Sequence, residues 1–162
     1  MKNMFLLVSL LSLLFGCKKE NPVEQHDEQI IRIQYEHGFK DELNTFEGFV
    51  QKDLVKDGTT KVPLWLSAEE QESIITVVEE THYFSLPDTI HREPNVFIQP
   101  DFSPDKLRIQ YKNEEKIVVW YYPMQLGSPY RNSLNKIISR IDSVLSANNT
   151  YKQLPPQNGG YD

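Results

Sequence analysis

Leu134, Ile137, Ile138, Ile141, Val144 and Leu145 fall along one side of a helix, while Asn135, Lys136, Ser139, Arg140, Asp142 and Ser143 fall along the other. A helix with a single apolar stripe has to be laid against a second layer. The rest of the chain says what that layer is. Ile31, Ile33 and Tyr35 alternate with Arg32, Gln34 and Glu36, and Leu107, Ile109 and Tyr111 alternate with Arg108 and Gln110. That is the period of strands with one buried face.

The segment from Thr45 to Leu66 holds two apolar runs around Val55-Lys56-Asp57-Gly58-Thr59-Thr60, and Asp-Gly favours the positive φ of a hairpin turn. Pro63 in the second arm places that arm at a sheet edge. Ser67 and Glu70 have the spacing of a capping box, and Ile74, Ile75 and Val78 continue with helical spacing, which predicts a helix over 68–82. A second hairpin is expected over 107–122, and its loop decides which aromatics face inward. A two-residue loop at Asn113-Glu114 pairs Ile109 with Val118 and buries Trp120 and Tyr122, whereas a three-residue loop buries Ile117, Val119 and Tyr121.

Pro87, Pro94, Pro100 and Pro104 lie between Ser85 and Asp105. They predict a long irregular loop with one short strand at 96–98, and long loops are where sites are first sought. The last helix starts between Pro129 and Asn132. After Ala147, Asn, Gln, Pro and Gly dominate, so 148–162 reads as a disordered tail. The expected architecture is one α+β domain over 29–147 in ββ-α-ββ-α order. It is a two-layer sandwich of an antiparallel sheet of roughly four to six strands with two helices on one face.

The N-terminus has a different character. Lys2 precedes an uncharged apolar stretch from Met4 to Phe15, followed by Gly16 and Cys17, the order of an export signal. The stretch is shorter than the roughly 20 residues a membrane-spanning helix needs. Cys17 is the sole cysteine in the chain.

Leu14-Phe15-Gly16-Cys17 resembles the bacterial lipobox, with Phe15 standing where that motif carries a small or β-branched residue. The resemblance implies that 1–16 are a signal peptide and that cleavage falls before Cys17. It also implies diacylglycerol on the Cys17 sulfur and a further acyl chain such as palmitate on the freed amine, an anchor of more than one chain. The partner so implied is a membrane, reached through lipid on Cys17. No free thiol would remain, so the core must hold without a disulfide. Residues 17–28 then read as the lipidated cysteine and a polar tether. Lys18 rather than Asp follows Cys17, which by analogy with enterobacterial sorting implies the outer membrane. The Cys-Lys-Lys start also resembles lipoproteins of the Bacteroidetes group.

Leu66-Ser67-Ala68-Glu69-Glu70 and Tyr83-Phe84-Ser85-Leu86-Pro87-Asp88 resemble stretches of a small α+β domain found in uncharacterised exported proteins and lipoproteins. That resemblance covers about 29–147 and implies a fold, with no activity attached.

The formal charge is −6, from 23 acidic and 17 basic side chains, and no basic cluster offsets it, which excludes nucleic acid as a partner. His82, Asp88, His91 and Glu93 could be drawn together as a metal site, yet no His-Glu-x-x-His pattern occurs and no metal is expected. Asp88, Glu93, Asp101 and Asp105 supply carboxylates without an EF-hand pattern. No Gly-x-Ser-x-Gly elbow and no phosphate-cradling glycine run occur, so neither catalytic residues nor a cofactor are expected. Trp120, Tyr121, Tyr122 and Tyr130 remain as a binding surface able to stack sugar rings or hold a peptide edge. The reading is an envelope lipoprotein whose domain binds a protein or glycan. Alternatives are a metal-assisted hydrolase using His82, His91 and loop carboxylates, and an inhibitor or immunity-like protein.

Overall fold

The computed structural model describes residues 30–38, 40–96, 103–124 and 128–161. Cys17, the signal segment and the tether lie outside them, as do Asp101 and most of the strand expected at 96–98. The strands are β1 (Ile31–His37), β2 (Asp41–Asn44), β3 (Phe49–Val55), β4 (Gly58–Pro63), β5 (Thr89–Ile90), β6 (Asp105–Tyr111) and β7 (Glu114–Trp120). The helices are α1 (Ala68–Glu80), α2 (Pro129–Ala147) and α3 (Asn149–Lys152), with a 3-10 turn at Tyr83–Ser85.

These strands form one sheet in the order β4-β3-β2-β1-β6-β7-β5. Neighbours are antiparallel except β5, which runs parallel to β7. The fold is therefore α+β, and the expected antiparallel sheet of four to six strands with two helices is corrected, among the described residues, to a mixed sheet of seven strands with three helices. The additions are short elements with too few residues to show a period. In β2 only Leu43 is apolar. β5 is two residues long and is held by Val119 N–H on Asp88 O (2.9 Å) and Tyr121 N–H on Ile90 O (3.2 Å).

Ile31, Ile33 and Tyr35 of β1 pack with Leu107, Ile109, Val118 and Trp120 against Ile74, Ile75 and Val78 of α1 and the stripe of α2, all in one core. Both long helices thus cover one face of the sheet and leave the other open. β4 lies at the edge, where Pro63 needs no ladder partner for its nitrogen. The capping box forms: Ser67 Oγ accepts from Glu70 N–H (3.2 Å), and Glu70 Oε2 accepts from Ser67 N–H (2.8 Å). The helix stops at Glu80, short of the predicted His82, which takes φ 51° and leads into the 3-10 turn. There Tyr83 is wholly buried and its hydroxyl donates to Leu107 O at 2.6 Å.

In the second hairpin Leu107 faces Val118 and Asp105 faces Trp120, and the loop is Lys112-Asn113 with Lys112 at φ 54°. Val118 and Trp120 therefore point inward, through a loop one residue earlier than the register that paired Ile109 with Val118. Tyr122, which the two-residue loop at Asn113-Glu114 would have turned inward with Trp120, lies past the strand and is 64% exposed.

The tail is also corrected. Residues after 147 are ordered as far as Tyr161: α3 forms, Leu154 joins the core, and Asn158 pairs with the β3–β4 turn. The cause is a register shift between Asp53 and Val55 that leaves ladder groups open. Asn158 N–H donates to Leu54 O (3.1 Å), and Lys56 N–H donates to Asn158 O (3.3 Å).

Candidate functional site

Antiparallel pairing gathers the end of β1, the start of β2, the start of β6 and the end of β7 at one end of the sheet, with His37 opposite Asp41 and Asp105 opposite Trp120. His37 Nδ1 lies 3.0 Å from Asp105 Oδ2, and Gly38 N–H donates to Asp105 Oδ1 at 3.0 Å. Gly38 adopts φ +61°, a backbone that glycine takes without cost. With Asp105 on Nδ1, Nε2 is the ring nitrogen left for a ligand.

The surrounding acids shape the electrostatics. The hydrogen bond to Asp105 raises the His37 pKa against the opposing effect of burial, with Asp105, Asp142 and Asp41 adding to the rise. Burial raises the carboxyl of Asp142, on α2, and His37 pulls it partly back. Burial also raises the phenol of Tyr151, helped by Asp41 and Asp142.

Tyr35, His37, Asp41, Asp142, Leu145 and Tyr151 line a cavity of about 80 Å³. It shares His37, Asp41, Glu42 and Gln51 with an outer cleft of about 290 Å³ that also meets Lys40, Ser103 and Pro104. A larger depression of about 710 Å³ lies elsewhere, between the outer faces of α1 and α2, and is lined by wet-face residues such as Glu80, Lys136 and Arg140. The smaller cavity is the stronger candidate because perturbed ionisable groups converge there.

The four aromatics of the expected binding surface separate. Trp120 is 2% exposed and stacks on Tyr35 with ring centroids 6.3 Å apart. It belongs to the core, which corrects its place on the surface. Tyr121 and Tyr122 follow it at 37% and 64% exposure, at the same sheet end as His37 and Asp105. Tyr130 is exposed at the second residue of α2. Glu93 of the Pro-rich stretch lies beside the tyrosine pair, its N–H donating to Pro123 O at 3.1 Å.

The residues drawn as a metal site occupy different surroundings. His82 sits at the exit of α1, Asp88 pairs with Lys116, and His91 is exposed after β5. Among the described residues no three His, Cys, Asp or Glu side chains are grouped closely enough to share a metal ion. Among the described loop carboxylates, Asp105 is the one that reaches the cleft, through its hydrogen bonds to His37 and Gly38. On the open sheet face the charges satisfy one another. Lys106 pairs with Glu36, Arg108 with Glu115, and the guanidiniums of Arg32 and Arg108 lie over the Phe46 ring at 5.3 and 4.1 Å.

Sequence reasoning missed Tyr35, His37, Asp41 and Asp142. They come from β1, β2 and α2 and share no motif, and the one local hint is His37-Gly38 closing an alternating strand. Compared with known proteins, the chain matches no family model, no curated protein and no solved structure.

Proposed function

We propose that this chain is a bacterial cell-envelope lipoprotein, held to a membrane, the outer one by its Cys17-Lys18 start, through lipid on Cys17. Its domain is a binding module that holds a protein or glycan of the envelope at the sheet end bearing the His37–Asp105 cleft. The observation that carries this reading is the placement of exposed Tyr121 and Tyr122 at the same end as that cleft. Exposed tyrosines give contact area at low entropic cost and keep a hydroxyl for hydrogen bonding. The polar tether would hold that surface clear of the lipid headgroups.

The reading is tested by affinity purification of the tagged, lipidated protein from its native envelope, beside a Tyr121→Ala/Tyr122→Ala variant. A partner retained by the parent and lost from the variant supports it. Equal recovery by both contradicts the assigned surface. An unmodified Cys17 in the mature protein, read by mass spectrometry, contradicts the anchor.

A further inference from the structure

Buried polar groups in folded proteins nearly always have a hydrogen-bond partner, and Tyr83 shows the rule here through its bond to Leu107 O. Tyr35 stands apart within the described residues. It is 5% exposed, with its ring stacked on His37 at 5.7 Å and on Trp120 at 6.3 Å. Among the described residues its hydroxyl has no hydrogen-bond partner. It lines the cavity of about 80 Å³, which exceeds the roughly 30 Å³ share of one water molecule.

The other groups around the cavity indicate what would fill it. After burial, the charges that bear most on the Tyr35 hydroxyl are the carboxylates of Asp142, Asp105 and Asp41. Asp105 is taken up by His37 and Gly38, and Asp41 Oδ1 accepts from Asp53 N–H at 2.7 Å. Asp142 has no hydrogen bond or ion pair among the described residues. Leu43, Val50 and Leu145 supply apolar wall. The acids are not grouped as metal ligands. A carboxylate that His37 reaches only through space, an idle hydroxyl and a second carboxylate fit a ligand with several N–H donors, and the apolar wall fits the methylenes behind it. A primary ammonium has three donors and no acceptor.

We propose that this cavity binds the ammonium of an R–CH2–NH3+ group, with Asp142 as counter-charge, the Tyr35 hydroxyl accepting one N–H, Asp41 accepting another, and Leu43, Val50 and Leu145 covering the alkyl chain. The remainder of the ligand leaves through the outer cleft past Gln51 and Pro104. This deepens the proposed binding function by naming a ligand chemistry for that sheet end, and it depends on Tyr35 and Asp142 instead of Tyr121 and Tyr122. Loss of partner capture with amine binding intact, or the reverse, separates the two readings.

The test is an NMR titration of the full mature chain with n-butylammonium and, as the uncharged control, 1-butanol. n-Butylammonium is expected to shift signals of Tyr35, His37 and Asp142, and 1-butanol is expected to leave them in place. Asp142→Asn weakens the amine by about tenfold or more, and Tyr35→Phe weakens it severalfold. Both substitutions are nearly isosteric and leave the unfolding midpoint close to the parent's. Titration with Nα-acetyl-lysine N-methylamide distinguishes a lysine side chain from a free amine, and tighter binding of either compound supports the proposal. Equal shifts from amine and alcohol overturn it, as does undiminished amine binding by Asp142→Asn, or a response to Ca2+ with none to the amine.

Discussion

Gln71 Oε1 on α1 accepts the backbone N–H of Ile30 at 2.7 Å. The same oxygen lies 3.3 Å from Ile31 N, and Gln71 Nε2 donates to Leu66 O at 3.1 Å. The side chain is wholly buried, so one amide ties the entry of the central strand to the entry of the first helix. Ile31 is wholly buried, and a buried donor stripped of its acceptor cannot turn to water and keeps its desolvation cost. Gln71→Leu, which keeps the volume and removes the polar atoms, is expected to lower stability by about 2–4 kcal/mol in urea unfolding.

Gly48 lies under the Trp65 ring. A Cβ at residue 48 would stand 2.4 Å from the ring, and φ is +72°. Steric overlap and an unfavourable backbone region therefore act together. Gly48→Ala is expected to cost about 1–3 kcal/mol, and Gly48→Ala with Trp65→Ala less than the sum of the two single changes. Additive costs would show that the ring does not press on residue 48.

His37 gives the domain a pH dependence of known sign. Its folded pKa is raised, first by the hydrogen bond to Asp105 and further by Asp142 and Asp41. The pair therefore stabilises fully below the unfolded value of about 6.5 and loses that contribution as pH rises through the folded value. The gap in urea midpoint between the parent and Asp105→Asn should shrink from pH 6 to pH 9. A gap that stays constant would show that the pair is not titrating.

The two long helices were legible in the sequence because their signals are local: the Ser67–Glu70 box and the stripe from Leu134 to Leu145 each sit within a few turns. The fate of Trp120 was not. It hinged on whether the turn held two residues or three, and the two-residue turn that forms opens with Lys112 at positive φ, which carries none of the glycine or asparagine signature that marks such turns. The tail misled for a related reason. Asn, Pro and Gly mark disorder by composition, while Leu154 and Asn158 dock through two residues that composition does not weigh. Of the candidate site, the sequence offered Tyr121 and Tyr122 as aromatics of the second hairpin and left their face to the same register. The cleft was not, since Tyr35, His37, Asp41, Asp105 and Asp142 meet only once β1, β2, β6 and α2 are in place.

The docked tail makes a prediction of its own. Asp53 is buried, and desolvation alone would raise its pKa. The Tyr161 hydroxyl, the Val55 N–H and Lys40 outweigh that and hold it low. A depressed carboxyl stabilises above its unfolded pKa of about 3.9, and that contribution is lost as pH falls through the folded value. Truncation after Leu154 should lower Tm at neutral pH, and the loss should narrow as pH falls toward 3. An unchanged Tm would mean that the tail adds nothing to the hairpin.

The binding surface is tested most directly by placing a photo-crosslinking amino acid at Tyr122, beside the His37–Asp105 end of the sheet, and at Glu114, at the far end of β7. Both variants are made in the lipidated protein and irradiated in the native envelope. A discrete adduct from position 122 and none from position 114 is the predicted result. Adducts of equal yield from both positions, or none above background from 122, would contradict it.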